Sequence, residues 1–299
     1  MKDIPQHVTI VGAGTQGSML AFRSLAFGRD VCIFDLSHEV LEKAVSKIRI
    51  WLDEWIASGK ITADFADQAF GMLRPTFNLL DAVRDADLVI ENVPEILALK
   101  QQVWAEIDAV APKRTLLTTN SSSLKASDIG ELIKRKEKTF NVNFMTPTKD
   151  DLVEVMWNSN TSEETKEAAI AFLKAQRNVP VITKKEIKGF SLNRVWRAMK
   201  KECLKLWANG YITPEDFDRA WILEWGTPYG PFGLMDKVGL DVVKQIEMTY
   251  YAESRNPDDI PPVALDEMIE KCWLGEKTGK GFYEYPNPAY MREGWLKGE

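Results

Sequence analysis

A chain of 299 residues, 45% hydrophobic and 27% charged, has the composition of a globular protein long enough for two domains. Its formal net charge of −6 supplies no basic face to follow phosphates, which argues against a nucleic-acid partner, and no apolar run reaches the length of a membrane span. Cys32, Cys203 and Cys272 are far apart and odd in number, with no CxxC pair, so they read as reduced thiols of a cytoplasmic protein, two of them in a core.

The first strand is expected to begin by His7, which leaves no room for a signal peptide. The run from Val8 to Val11 then breaks into glycines at Gly12, Gly14 and Gly17, with Ala13 and Gln16 between them. This is the pattern of a buried strand, a tight turn and a helix N-terminus. Gly12 allows the turn, Gly14 lets backbone N–H groups approach a pyrophosphate, and Gly17 lets helix and strand pack closely. The helix is expected over 19–28 and a second strand over 30–34, ending at Asp35. An acid there suits the hydroxyls of an adenosine ribose, and no Arg follows through Val40 to meet a 2′-phosphate. The cofactor expected is NAD rather than NADP.

Helical periodicity continues over 39–55 and 63–72, with a short strand or edge at 74–76. A buried strand at 88–91 runs into the loop Asn92-Val93-Pro94-Glu95, followed by a helix over 97–110, a strand over 115–119 and the polar turn Asn120-Ser121-Ser122-Ser123. Strands at 139–144 and 153–156, a helix over 163–177 and a last strand at 179–182 complete a doubly wound α/β fold with a parallel sheet. After residue 187 the pattern turns helical: Asn193 to Asn209 reads as one amphipathic helix, and Thr213-Pro214 as an N-cap and first helical residue. The expected organisation is a dinucleotide-binding domain over 1–187 and an all-helical domain over 188–299. No spacing suggests a metal site.

The chain resembles the short L-3-hydroxyacyl-CoA dehydrogenase family in several ordered stretches. They are Gly12 to Gly17, Glu91-Asn92-Val93-Pro94-Glu95, Thr119-Asn120-Ser121-Ser122-Ser123-Leu124, Lys188-Gly189-Phe190-Ser191-Leu192-Asn193-Arg194, Gly226 to Asp241, and Lys277-Thr278-Gly279-Lys280-Gly281-Phe282-Tyr283. The resemblance implies NAD, a homodimer formed through the helical domain, and a small-molecule substrate, with relatives acting on acyl-CoA, carnitine, gulonate and diketo esters and one branch serving as a lens crystallin. It implies cofactor contacts from Gly12, Ala13, Gly14, Gln16, Gly17, Asp35, Val93, Glu95, Lys100, Asn120 and Lys277. Ser122 resembles the serine that touches both nicotinamide and substrate oxygen, Asn193 the asparagine at the substrate carbonyl, and Glu154 the partner of the catalytic histidine. Taken alone, Ser122 reads rather as a helix cap and Glu154 as a strand acid facing solvent.

The family's histidine lies in a His-Phe-Phe-Asn-Pro segment, and this chain reads Asn143-Phe144-Met145-Thr146-Pro147 there. The only two histidines, His7 and His38, are expected too far from the nicotinamide end to replace it. An amide does not titrate as imidazole does, and losing a general base costs about a hundredfold to ten-thousandfold in rate. Three readings accommodate Asn143. In the first, an alcohol/ketone oxidoreductase moves its proton through water to Glu154, Lys149 or Tyr229, with Ser122, Asn143 and Asn193 around the reacting oxygen. In the second, the acceptor is an iminium or the substrate an amine, so hydride transfer needs no proton donor. In the third, catalysis is lost and cofactor binding remains.

Two substrate features stay open. Lys60, Arg194, Arg197, Lys200 and Lys201 are either a CoA path or solvated helix faces. Trp157, Trp196, Trp221 and Trp225 are either core and interface residues or a pocket wall for an aromatic or cationic substrate.

Overall fold

Strand β1 (His7–Val11) shows why the sheet forms where it does: Val8 and Ile10 face one side, Val11 the other, and all are buried. A computed structural model describes residues 4–148 and 151–298. The chain divides into two compact units, residues 1–191 and 192–299.

In the first unit the glycine turn leads into α1 (Thr15–Ala26), which starts four residues earlier than the periodicity predicts because the glycine turn itself opens the helix. Strand β2 (Asp30–Phe34), α2 (His38–Ala57), α3 (Ala63–Gly71) and β3 (Leu73–Thr76) follow. A short α4 (Leu79–Val83), not anticipated, is capped by Asn78, whose Oδ1 accepts from the Leu80 N–H at 2.9 Å. Then come β4 (Leu88–Glu91), α5 (Leu97–Val110), β5 (Leu116–Thr119), α6 (Ala126–Ile129), β6 (Thr139–Phe144), β7 (Leu152–Trp157), α7 (Glu163–Ala175) and β8 (Val179–Thr183).

The eight strands form one sheet in the order β3-β2-β1-β4-β5-β6-β7-β8. Val8 of β1 pairs with Val31 of β2 and Leu88 of β4, so the order reverses at β1, where open α/β sheets bind ligands. One expectation is corrected. Strand β7 runs antiparallel to β6, not parallel, because the stretch from Met145 to Asp151 is too short for a crossover, which needs about a dozen residues. Helices α1, α2, α3 and α7 cover the face with Val8, Ile10, Ile33 and Ile90, and α4, α5 and α6 the face with Val11, Phe34, Val89 and Leu117.

In the second unit, α8 (Ser191–Ala208) is followed by α9 (Pro214–Trp225), α10 (Pro231–Val238), α11 (Leu240–Ser254) and α12 (Val263–Glu270). Thr213 Oγ1 caps α9 by accepting from the Asp216 N–H at 3.1 Å, with Pro214 as its first residue. No described residue after α8 belongs to a strand. Asp218 and Asp236 are buried there: Asp218 accepts from the Phe232 and Gly233 N–H groups at 3.0 and 2.8 Å, and Asp236 from those of Phe282 and Tyr283 at 2.9 and 2.9 Å. Trp157 packs on Phe140 in the sheet core, 5.6 Å between ring centroids, while Trp196 lines the helical core and Trp225 is 66% exposed.

Candidate active site

The cofactor end is built by backbone. Gly12 has φ +102, and a Cβ on it would lie 2.7 Å from the Asn92 carbonyl oxygen. On Gly17 a Cβ would fall 1.8 Å from the Gly12 carbonyl oxygen, so only glycine brings α1 this close to β1. Gly14 opens onto space with no protein atom within 4 Å of such a Cβ. No side chain caps α1 and its first turn carries no acid, so its first N–H groups and positive dipole end stay available to an anion. Gln16, in that turn, is exposed.

Asp35 closes the turn from β2: its Oδ2 accepts from the Ala13 N–H at 2.9 Å and its Oδ1 from the Ser37 N–H at 3.0 Å. Each carboxylate oxygen keeps a further lone pair for a ribose hydroxyl. An uncapped helix start, an open Gly14 and an acid at the end of the next strand fit a dinucleotide.

The loops after β4 and β5 are tied together by charge. Glu91, fully buried at the end of β4, accepts from Lys100 Nζ at 2.7 Å and from the Val93 N–H at 2.6 Å. Lys100, 1% exposed, also donates to the Val93 carbonyl at 2.9 Å and pairs with Glu95 at 3.3 Å. Expected at the cofactor, the Lys100 ammonium is instead turned inward and braces the loop, with Glu95 above it. Glu95 accepts from the Ser121 and Ser123 hydroxyls. Burial pushes its carboxyl up, but the two hydroxyls and Lys100 outweigh it and hold the group below its ordinary range.

The three serines thus separate. Ser121 closes the turn, accepting from the Leu124 N–H at 2.8 Å, and Ser123 turns to Glu95; none of them caps α6, whose N-cap position is Lys125. Ser122 is exposed, and its hydroxyl has no hydrogen-bond partner among the described residues. Asn120 Oδ1 accepts from the Phe144 N–H at 3.0 Å, which pins the end of β6 beside that of β5.

Asn143 and Glu154 lie directly opposite each other across β6 and β7. Opposed side chains in an antiparallel pair stand about 5 Å apart, within hydrogen-bonding reach. Asn143 Nδ2 donates to Glu154 Oε2 at 3.1 Å and approaches Met145 Sδ at 3.5 Å. Glu154 is 1% exposed, so it is not a strand acid facing solvent. Its other oxygen, Oε1, accepts from the Ser191 hydroxyl at 3.0 Å. Ser191 was given no role in the sequence; the only signal was its place two residues before Asn193. Buried Arg23 donates to the Pro147 carbonyl at 3.0 Å and to the Gln176 carbonyl at 2.8 Å, anchoring the β6–β7 connection.

His7 pairs with Asp30 at 3.3 Å and His38 stacks on Phe77 with centroids 3.6 Å apart. Lys149 lies outside the described residues. Within the helical unit, Asn193 sits half-exposed in the first turn of α8, Lys277 pairs with Asp241, and Tyr229 lies under the Lys237 ammonium, 4.5 Å from its ring centroid. No helix among the described residues is long and apolar enough to cross a membrane.

Residues 7–187 match the family model for the 3-hydroxyacyl-CoA dehydrogenase NAD binding domain, and residues 189–285 that for the 3-hydroxyacyl-CoA dehydrogenase C-terminal domain. The chain is 30% identical over 291 residues to human mitochondrial hydroxyacyl-coenzyme A dehydrogenase, covering 95% of this chain and 92% of that protein. It is likewise 30% identical over 286 residues to 5-formyl-3-hydroxy-2-methylpyridine 4-carboxylate 5-dehydrogenase of Mesorhizobium japonicum, covering 94% of this chain and 91% of that one. The crystal structure of M. tuberculosis FadB2 superposes with a TM-score of 0.85 at 31% identity, over 95% of this chain and 100% of that one. With both family models matched in order on a sheet that reverses at its glycine turn, the protein belongs to the 3-hydroxyacyl-CoA dehydrogenase family and is an NAD-dependent dehydrogenase.

Proposed function

We propose that this chain carries out reversible hydride transfer between NAD(H) and a 3-hydroxy/3-oxo compound, a 3-hydroxyacyl-CoA, a 3-hydroxy acid or a keto ester, without an imidazole base. The observation that carries this reading is the buried Asn143–Glu154 pair, in which an amide stands where the family resemblance places histidine while the carboxylate partner is kept. Bound NAD takes up or supplies the hydride. Ser122 and Asn193 carry donors for the reacting oxygen, Asn143 lines it and holds Glu154 behind it, and Glu154 is the proton's destination. Gly12, Ala13, Gly14, Gln16 and Gly17 cradle the pyrophosphate and Asp35 the ribose. Val93, Glu95, Asn120, Ser122 and Lys277 line the rest of the cofactor, with Lys100 bracing that wall.

NADH consumption at saturating cofactor tests the reading across acetoacetyl-CoA, a free 3-oxo acid, a 3,5-dioxo ester and a cyclic imine, each with and without ammonia. Ketone turnover without ammonia is the expected result; silence on every ketone overturns it.

One observation favours a second reading, an imine or amine oxidoreductase. Both hydrogens of the Asn143 amide face protein atoms, Glu154 and Met145, and Oδ1 accepts from no described residue. The group left to a ligand is an acceptor, which suits an N–H of a protonated amine or iminium, and hydride transfer to an iminium needs no accompanying proton. Turnover of the imine alone, or of a ketone only with ammonia, selects this reading.

We also propose that the protein is cytoplasmic and a homodimer paired through the helical domain of residues 188–299, with residues 1–187 binding NAD. The three free thiols support the first. Leu223, Trp225, Val263 and Met291, each more than half exposed on the helical unit, support the second. A monomer mass by light scattering at working concentration rejects the dimer.

A further inference from the structure

The alcohol/ketone reading leaves a gap: an amide beside the reacting oxygen takes no proton, and Glu154 is buried to 1%. The Ser191 hydroxyl donates to Glu154 Oε1 at 3.0 Å, the oxygen other than the one that accepts from Asn143. Ser191 is itself exposed, the last residue of the first unit and the first of α8. Its backbone position is set by two consecutive residues with positive φ, Gly189 at +83° and Phe190 at +50°, with the Phe190 ring buried to 1%. A non-glycine residue held at positive φ and anchored by a buried ring is a costly arrangement, and it fixes the direction in which residue 191 leaves the loop. What it holds there is the hydroxyl of an exposed residue, donating to a buried carboxylate.

We propose that Ser191 is the proton relay of this enzyme, joining the substrate oxygen to Glu154 and replacing the missing base. The inference rests on the alcohol/ketone reading above. As an alcohol is oxidised, its C–H bond gives up hydride with the electron pair to the cofactor, which is reduced. The substrate O–H bond breaks toward Ser191 Oγ, the Ser191 O–H bond breaks toward Glu154 Oε1, and the pair left on the substrate oxygen closes the carbonyl. Glu154 ends as the carboxylic acid and returns its proton to solvent by the same route; ketone reduction runs these transfers in reverse. Glu154 supplies the basicity, Ser191 the reach, and Asn143 holds the second carboxylate oxygen so that Oε1 keeps facing Ser191.

The test uses the full chain, Ser191→Ala, Ser191→Thr and Glu154→Gln, with whichever ketone of the panel turns over. Ser191→Ala is expected to lower kcat by about a hundredfold, with KM and NADH affinity, followed by NADH fluorescence, within about twofold and a larger solvent deuterium isotope effect on kcat. Ser191→Thr, which keeps a hydroxyl, recovers most of the loss. A cofactor-independent readout is the infrared carboxylate band of Glu154, identified by its disappearance in Glu154→Gln. In protein without NAD or substrate, Ser191→Ala shifts this band because a hydrogen bond to Oε1 is lost. An unshifted band, or full kcat in Ser191→Ala while Glu154→Gln is impaired, overturns the relay alone. Full kcat in Glu154→Gln as well overturns the site reading on which it rests, as does turnover confined to the imine.

Discussion

The two units bury carboxylates in contrasting ways. In the helical unit, Asp218 and Asp236 each satisfy two backbone N–H groups and a tyrosine hydroxyl, that of Tyr283 at 3.0 Å for Asp218 and that of Tyr285 at 3.1 Å for Asp236. Asp218 thereby caps the start of α10, and Asp236 ties α10 to the C-terminal segment. In the first unit, Glu154 and Glu95 accept from Asn143, Ser191, Ser121, Ser123 and Lys100 side chains. Carboxylates satisfied by backbone hold the fold, since the groups they satisfy cannot turn elsewhere. Those satisfied by hydroxyls and amides of other side chains are held by groups that can rotate, the kind of arrangement in which the proposed chemistry is sought.

The contrast breaks most visibly at Asp218. Asp218→Ala strands two buried N–H groups and a hydroxyl, each costing about 1–3 kcal/mol. Denaturant unfolding should therefore show a loss of at least about 3 kcal/mol; a loss near zero would mean that this carboxylate is not a scaffold.

Next in size is Asn143→His, which restores a titrating group opposite Glu154. Ketone reduction is expected to rise by about a hundredfold, with stability little changed because Glu154 still receives a ring N–H. No gain, in a variant that binds NADH normally, would count against Asn143 standing at the base position. For Asp35→Ala, loss of charge-assisted hydrogen bonds worth about 1.5–3 kcal/mol predicts at least a tenfold weaker NADH affinity. Unchanged affinity in a fluorescence titration would remove Asp35 from the ribose.

The smallest effect, per group, sharpens the comparison through pH. Burial pushes Asp218 up to about 6 and Asp236 up to about 6, against an ordinary 3.8, despite the hydrogen bonds that oppose it. A folded-state value raised above the unfolded one means that the native form binds the proton more tightly. The resulting stabilisation is fully present below about 4 and is lost as pH rises through 6. Lowering pH from 7 to 5 should then stabilise the helical unit by about 1 kcal/mol per group, read as a rise in its unfolding midpoint. Glu95, held low, resists protonation over that range. A midpoint that falls steadily from pH 7 to 5 would contradict the assignment.

Much of the cofactor half was legible in the chain because backbone demands map onto residue type. A Cβ at 17 collides with the Gly12 carbonyl oxygen whatever the side chain, and Thr213-Pro214 starts α9 by local hydrogen bonding and fixed φ alone. The helix over 97–110 likewise follows from its own periodicity. The site's side-chain assignments were less legible. In the serine turn, Ser121 rather than Ser122 closes the turn onto the Leu124 N–H and neither caps a helix, because Glu95, arriving from another loop, fixes where the hydroxyls of 121 and 123 point. Lys100 reads as a cofactor contact by resemblance, and only the fold shows that Glu91, at the end of β4, draws its ammonium inward.

By itself the sequence determined the alternation of strands and helices, the glycine turn with an acid at the end of the next strand, and the NAD cofactor, since each depends on neighbours within a few residues. Only the tertiary structure decided that β7 runs antiparallel to β6, that Asn143 therefore meets Glu154 side by side, and that the Ser191 hydroxyl closes on the remaining oxygen. The physical reason is range: hydrogen bonds between side chains far apart in sequence depend on strand direction and register, and a one-residue slip in either strand would turn Asn143 and Glu154 to opposite faces of the sheet.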